Sequence, residues 1–121
     1  TTAAARLLSR RPAPTAIFCF NDEMAMGVID TARRRGLRVP QDLSVVGFDD
    51  IQSAAFQQPG LTTVRQPLRR MGELAAEIVL KRVAAGGRRV HAKRITVEPE
   101  LVARGSTGIV IRTGFITSAT R

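Results

Sequence analysis

Residues 14–50, PTAIFCFNDEMAMGVIDTARRRGLRVPQDLSVVGFDD, decide the fold. Two apolar runs, Ala16–Phe20 and Leu43–Phe48, bracket an amphipathic segment, and each ends in a small polar cluster: Asn21-Asp22 after the first, Asp49-Asp50 after the second. Short, near-continuous apolar runs suit strands covered on both faces, as in a parallel sheet flanked by helices. The segment between them reads as a helix from about Glu23 to Arg35. Asp22 is its expected N-cap, Glu23 adds negative charge to the first turn, and Arg33, Arg34 and Arg35 fill the last before Gly36 closes it. Ala25, Val28, Ile29 and Ala32 fall at helical spacing and predict the buried stripe. A strand–helix–strand unit carries both strands in the same direction, so Asn21 and Asp49 emerge together at the carboxyl edge of the sheet. Open α/β sheets bind ligands at that edge, which makes the two residues a candidate site. The competing structural roles are a turn residue for Asn21 and a helix cap for Asp49.

Outward from this unit, residues 1–11 read as the last turns of a helix, stopped by Pro12 and Pro14. After Asp50, expected as a cap, comes a short helical turn at Ile51–Phe56. A β-branched run, Leu61–Gln66, predicts a third strand. Pro67 then suits the first turn of a long helix reaching about Ala85, with Leu68, Met71, Ala75, Ile78 and Val79 on one stripe. Because that segment reads as one helix, it is not a DNA-reading helix-turn-helix. Two further extended runs, His91–Val97 and Glu100–Ala103, precede a tail, residues 109–121, with no acidic residue and no clear pattern.

The 121 residues suffice for one modest domain, and 44% of them are apolar. No apolar run approaches the roughly eighteen residues of a membrane span. The formal charge of +9 is spread over 17 Arg and 2 Lys in short clusters without interleaved aromatics, which fits a solvated surface better than a nucleic-acid stripe. Cys19, the single cysteine, sits inside an apolar run as a small buried hydrophobe and permits no internal disulfide, which fits a reducing compartment. His91 has no partner at ligand spacing, so no metal is expected. Neither a Ser-His-Asp set nor a phosphate-cradling glycine loop is present, and Asp49 and Asp50, adjacent along a strand, point to opposite sides. No catalysis and no cofactor are expected. The chain begins without Met, as if within a helix, and reads as a fragment.

Several of these stretches together resemble the LacI/GalR family of bacterial transcription regulators. They are Pro14–Ile17 followed by Asn21–Ala25; Gly36–Pro40; Asp42–Asp50; Pro59 with Leu61–Gln66; and Glu100–Arg104 with Ser106-Thr107. The resemblance spans residues 1–108 and implies part of a type I, periplasmic-binding-protein-like α/β fold. It places residues 1–66 mostly in the C-terminal subdomain, 67–90 as a helix of the N-terminal subdomain, and 91–108 as return strands, with 109–121 atypical. The helix-turn-helix through which the family binds operator DNA has no counterpart in this chain. The implied function is that of a fragment of a cytoplasmic, ligand-responsive repressor, supplying effector binding and dimerisation. A periplasmic solute-binding protein of the same fold is the alternative. By the same resemblance Asn21 and Asp49 line the effector cleft and Leu68 packs on the ligand, a sugar or purine-like molecule. Met26, Ala54, Ala55 and Phe56 match the homodimer face.

Overall fold

The computed structural model describes residues 2–86 and 94–109. Eight elements follow in order: α1 (Thr2–Leu8), β1 (Ala16–Phe18), α2 (Asp22–Arg34), β2 (Ser44–Val46), α3 (Gln52–Phe56), β3 (Thr63–Arg65), α4 (Leu68–Ala84) and β4 (Glu100–Val102). β1 and β2 pair in parallel, Ile17 opposite Val45. β3 joins the far side of β2 through parallel bridges at Val46–Thr62 and Asp49–Arg65. β4 then pairs antiparallel with β3. The arrangement is an α/β sheet, parallel at its centre, with an antiparallel strand at one side.

The α2 stripe packs as its spacing predicts: Ala25, Val28, Ile29 and Ala32 are all buried, against Leu43, Val45, Ala54 and Leu61. Burying a side chain such as Ile29 completely contributes about 1.5–3 kcal/mol. The end of α2 is a Schellman closure. Gly36 takes φ +74°, its N–H donates to Arg33 O at 2.9 Å, and the Leu37 N–H donates to Ala32 O at 3.0 Å. α1 lies against α2 and buries Ala4 and Leu8.

Four expectations need correction. Asn21, not Asp22, is the N-cap of α2, because its extended backbone lets its side chain accept from the Met24 N–H while Asp22 turns inward. Asp50 caps nothing: α3 is preceded by Ile51 without a side-chain cap, and Asp50 pairs with arginines instead. β1 is not covered on both faces. Among the described residues it pairs with β2 alone, and Ala16 and Phe18 are exposed. The extended run expected at His91–Val97 forms no strand over residues 94–97, and residues 91–93 lie outside the described set, as do residues 110–121. α4 forms as one helix, but none of its residues is buried; Leu68, Met71, Val79, Leu80 and Val83 stand exposed.

The segment after β4 is tied down by Ser106. Its hydroxyl donates to Val45 O at 2.6 Å and accepts from the Thr62 N–H at 2.8 Å, and its carbonyl accepts from the Val45 N–H at 2.8 Å. These bonds stitch the last described residues to the central strands.

Candidate ligand-binding cleft

Three strand-to-helix corners meet at the carboxyl edge of the sheet. The first follows β1. Asn21 has φ −150°, and its Oδ1 accepts from the Met24 N–H at 2.8 Å. Because a backbone N–H can only donate, the cap fixes which side-chain atom is the oxygen, and the amide NH2 of Asn21 takes no part in the cap.

The second corner follows β2. Asp49 and Asp50 take φ of +109° and +56°, a region that costs non-glycine residues about 1–3 kcal/mol each. The corner is held from several sides. The Asp49 N–H donates to Val64 O at 2.9 Å, and Gln66 Nε2 donates to Asp49 Oδ1 at 2.6 Å. That leaves Asp49 Oδ2 as an acceptor. Asp50 points the other way, with only 7% of its side chain exposed. Arg65 Nε donates to Asp50 Oδ2 at 2.7 Å, and Arg104 Nη2 lies 2.8 Å from Oδ1, an ion pair not aligned as a hydrogen bond. Burial pushes the Asp50 carboxyl up, but contacts with Arg65 and Arg104 outweigh it and hold the group below its ordinary value. Asp49 and Asp50 therefore do separate jobs and are no acid–base pair.

The third corner, after β3, brings Gln66. Together Phe18, Phe20, Asn21, Phe48, Asp49 and Gln66 line a cleft of about 340 Å³. This size lies within the range of small-molecule pockets, roughly 300–1,000 Å³. Phe18 and Phe20, two residues apart, fall on one face of the chain entering α2, 65% and 83% exposed. A neighbouring hollow of about 520 Å³ shares Asp49 and Gln66 but is walled by Leu68 and by Arg65, Arg69 and Arg70. It is the wider of the two but its arginines are exposed and paired with Glu73, Asp50 or Glu100, so the aromatic cleft is the better-built site. Aromatic faces beside one amide donor and one carboxylate acceptor can hold a flat or ring-shaped molecule with a hydroxylated or amide-like rim.

Of the residues expected from sequence, Asn21 and Asp49 meet in this cleft, and Leu68, 61% exposed, lies in the adjoining hollow. Met26 is half-buried against the core. The expected dimer face is corrected at Ala54, which is fully buried because it sits on the inward side of α3, in the core; Ala55 and Phe56 remain outward, Phe56 75% exposed. Sequence reasoning passed over Phe18, Phe20 and Phe48, read as strand interior, and Gln66. The alternation of Phe18 and Phe20 just before a polar corner was the available signal. Cys19 between them is buried, and burial pushes its thiol up to about 11, so it stays an unreactive hydrophobe. Among the described residues no group of three or more His, Cys, Asp or Glu could hold a metal ion. No described helix is long and apolar enough to cross a membrane.

Comparison with known proteins gives a consistent pattern. Residues 1–107 match the family described as "Periplasmic binding protein-like domain". The HTH-type transcriptional repressor PurR of Vibrio vulnificus (strain CMCP6) is 46% identical over 103 residues, covering 84% of this chain and 30% of that protein. Among solved structures, a complex of the transcriptional regulator CelR with cellobiose superposes with a TM-score of 0.80 at 34% identity, over 87% of this chain and 32% of that one. A LacI family transcriptional regulator from Enterococcus faecium with bound ribose superposes with a TM-score of 0.73 at 31% identity, over 88% and 38%. The chain thus spans about 30% of the length of the curated relatives it matches.

Proposed function

Because this chain belongs to the periplasmic binding protein-like domain family, in its LacI/GalR-type branch, we propose that it forms one wall of the effector cleft of a ligand-responsive bacterial transcriptional repressor. The observation that carries the reading is the convergence of Asn21 and Asp49 with three phenylalanines at the carboxyl edge of the sheet. The amide of Asn21 donates to a ligand oxygen and the free oxygen of Asp49 accepts from a ligand hydroxyl or N–H. The rings cover the ligand's apolar face. A sugar fits this set, and so does a purine-like heterocycle; the cellobiose and ribose named for two structural relatives favour the sugar. The site binds and does not catalyse, and it needs no cofactor. Relatives that are repressors and regulators favour this reading over a periplasmic carrier, and a cytoplasmic location follows from it.

Two further roles belong to the proposal. Leu68, at the start of α4, packs on the ligand from the side of the adjoining hollow. Ala55 and Phe56, with the outer edge of Met26, form a two-fold contact with a second copy, as a repressor reading a palindromic operator requires; DNA is read by another part of the full-length protein. The test is calorimetry on the full-length protein with ribose, cellobiose and hypoxanthine. One of the three should bind, and Asp49→Ala should weaken it about ten- to a hundredfold. Binding that ignores Asp49→Ala in a folded protein, or the failure of all three probes, rejects the assignment.

A further inference from the structure

The first residue of α2, Asp22, is fully buried, yet among the described residues no arginine or lysine forms an ion pair with it. Its Oδ2 accepts from the Ile51 N–H at 2.8 Å and its Oδ1 from the Thr63 hydroxyl at 2.5 Å, while its own N–H donates to Phe48 O at 2.9 Å. Gly47 makes room for it: a Cβ there would sit 2.2 Å from Asp22 Oδ1. Burying a carboxylate is costly even when it is hydrogen-bonded, and an apolar residue of similar volume often gives equal stability. The partners of Asp22 suggest what offsets that cost. Phe48 and Ile51 flank Asp49 and Asp50 on either side, and those two hold the positive-φ corner. Such a conformation persists only where its surroundings over-determine it. Thr63 begins the strand that delivers Gln66, and Asp22 itself follows Asn21. Asp22 thus belongs to the first corner and is bonded to both ends of the second, through its carboxylate at Ile51 and its N–H at Phe48. Its carboxylate is also bonded to the start of the strand that leads to the third.

We infer that Asp22 is the positioning residue of this cleft: it clamps the Asp49-Asp50 corner from both ends and sets the Asp49 carboxylate against the Asn21 amide. The inference rests on the ligand-binding reading above. Asp22→Asn preserves the clamp, since the amide oxygen can accept from the Ile51 N–H while the NH2 donates to Thr63 Oγ1. Asp22→Leu removes both bonds, and Thr63→Val removes one without changing shape.

In the full-length protein, calorimetry with ribose, cellobiose and hypoxanthine should place Asp22→Asn within about threefold of wild type. Thr63→Val should be several-fold weaker and Asp22→Leu about tenfold or more weaker, in keeping with the loss of one or two hydrogen bonds. Without any probe, the side-chain amide NMR signals of Asn21 and Gln66 should shift in Thr63→Val and Asp22→Leu. They should stay in place in Asp22→Asn and in Ser106→Ala, a control that removes an equally buried hydroxyl bonded to the Thr62 N–H and Val45 O and not to Asp22. Should Asp22→Leu fail to fold, Thr63→Val decides. If no probe binds wild type, the ligand reading falls while the amide signals still judge Asp22. The inference is overturned if Thr63→Val leaves both signals unchanged, or if Ser106→Ala moves them as far.

Discussion

Gln66 donates its side-chain amide to Asp49 Oδ1 at 2.6 Å, so the end of β3 holds the acceptor presented by the end of β2. The bond spans the two corners between which a ligand would lie, and it occupies one of the two Asp49 oxygens before any ligand arrives. The carboxylate is aimed by a neighbour and not left to find its own rotamer.

In the proposed site Asp49 carries two burdens, an acceptor for the ligand and a backbone at φ +109°. Substitution separates them. Asp49→Ala and Asp49→Gly should lose ligand affinity equally, since neither keeps the acceptor. Asp49→Gly should nonetheless be more stable than Asp49→Ala by about 1–2 kcal/mol, because glycine adopts positive φ without strain. Thermal melts of the two variants beside calorimetry check this; equal melting temperatures would mean the corner is not strained.

At the back of the same corner, Gly47 faces Asp22 and Leu61. A Cβ at residue 47 would lie 2.2 Å from Asp22 Oδ1, 3.0 Å from Leu61 Cδ2 and 3.2 Å from Asp22 Cα. Asp22 cannot swing away without breaking its bonds to Ile51 and Thr63. Gly47→Ala should cost about 3 kcal/mol or more, at the upper end of overpacking penalties. Denaturant unfolding measures it, and a loss under about 1 kcal/mol would show that the corner yields.

The legibility of this chain in its sequence varied with the range of the forces involved. α2 was readable because its stripe, its basic last turn and Gly36 are local signals, and each is realised in place. The cap was misread by one residue because Asn21 and Asp22 are both good cap types. What decides between them is Thr63, about forty positions along, with the space at Gly47; neither leaves a mark near residue 22. The sheet edge drew Asn21 and Asp49 together from topology alone. The aromatic wall stayed hidden because Phe18 and Phe20 look like strand interior until the exposed side of β1 is seen. Asp50 was misassigned for the same reason as Asp22, since its partner Arg104 comes from the far end of the described chain.

Acid should expose the Asp50 cluster. Its folded-state carboxyl titrates below the ordinary value, held there by Arg65 and Arg104 against the opposing effect of burial. The folded state therefore binds fewer protons than the unfolded one as pH falls through the ordinary carboxylate range. Stability from this group is full above that range and is lost as pH falls through the depressed folded value. Asp42 behaves alike: hydrogen bonds from Arg38 are the main cause lowering it to about 2, so its share is lost between about 4 and about 2. Asp50→Asn should flatten the acid limb of stability against pH, and Arg104→Met should lower stability near neutral pH by about 1–3 kcal/mol, because it leaves a buried acceptor poorly paired. An acid limb unchanged by Asp50→Asn would rule the cluster out as its source.

Phe56 offers a test of assembly independent of the cleft. It stands 75% exposed on α3 beside exposed Ala55, while the neighbouring Ala54 anchors that helix in the core. An exposed aromatic buries much area on association at little cost to the monomer's own packing. Phe56→Arg should leave the melting transition of the monomer nearly unchanged and shift the full-length protein from dimer to monomer in sedimentation. Ala54→Arg, by contrast, should unfold the domain. A dimer undisturbed by Phe56→Arg would place the contact elsewhere.

The last expectation concerns the 121 residues taken alone. α4 runs for 17 residues without burying one, and Val79, Leu80 and Val83 are 58%, 68% and 72% exposed. β1, which among the described residues pairs with β2 alone, offers a second sticky surface, with Phe18 and Phe20 exposed beside it. Neither surface contributes to the core around Ile29, Leu43 and Val45, so both promote association without adding to stability. Expressed alone, the chain should self-associate. Replacing Leu80 with Lys and Val83 with Glu should raise its solubility while moving stability by no more than about 0.5 kcal/mol, as for other exposed positions. Light scattering and thermal melts on the isolated chain check both halves: a monodisperse wild-type monomer would show that α4 is covered, and a large drop in melting temperature in the double variant would show that it packs.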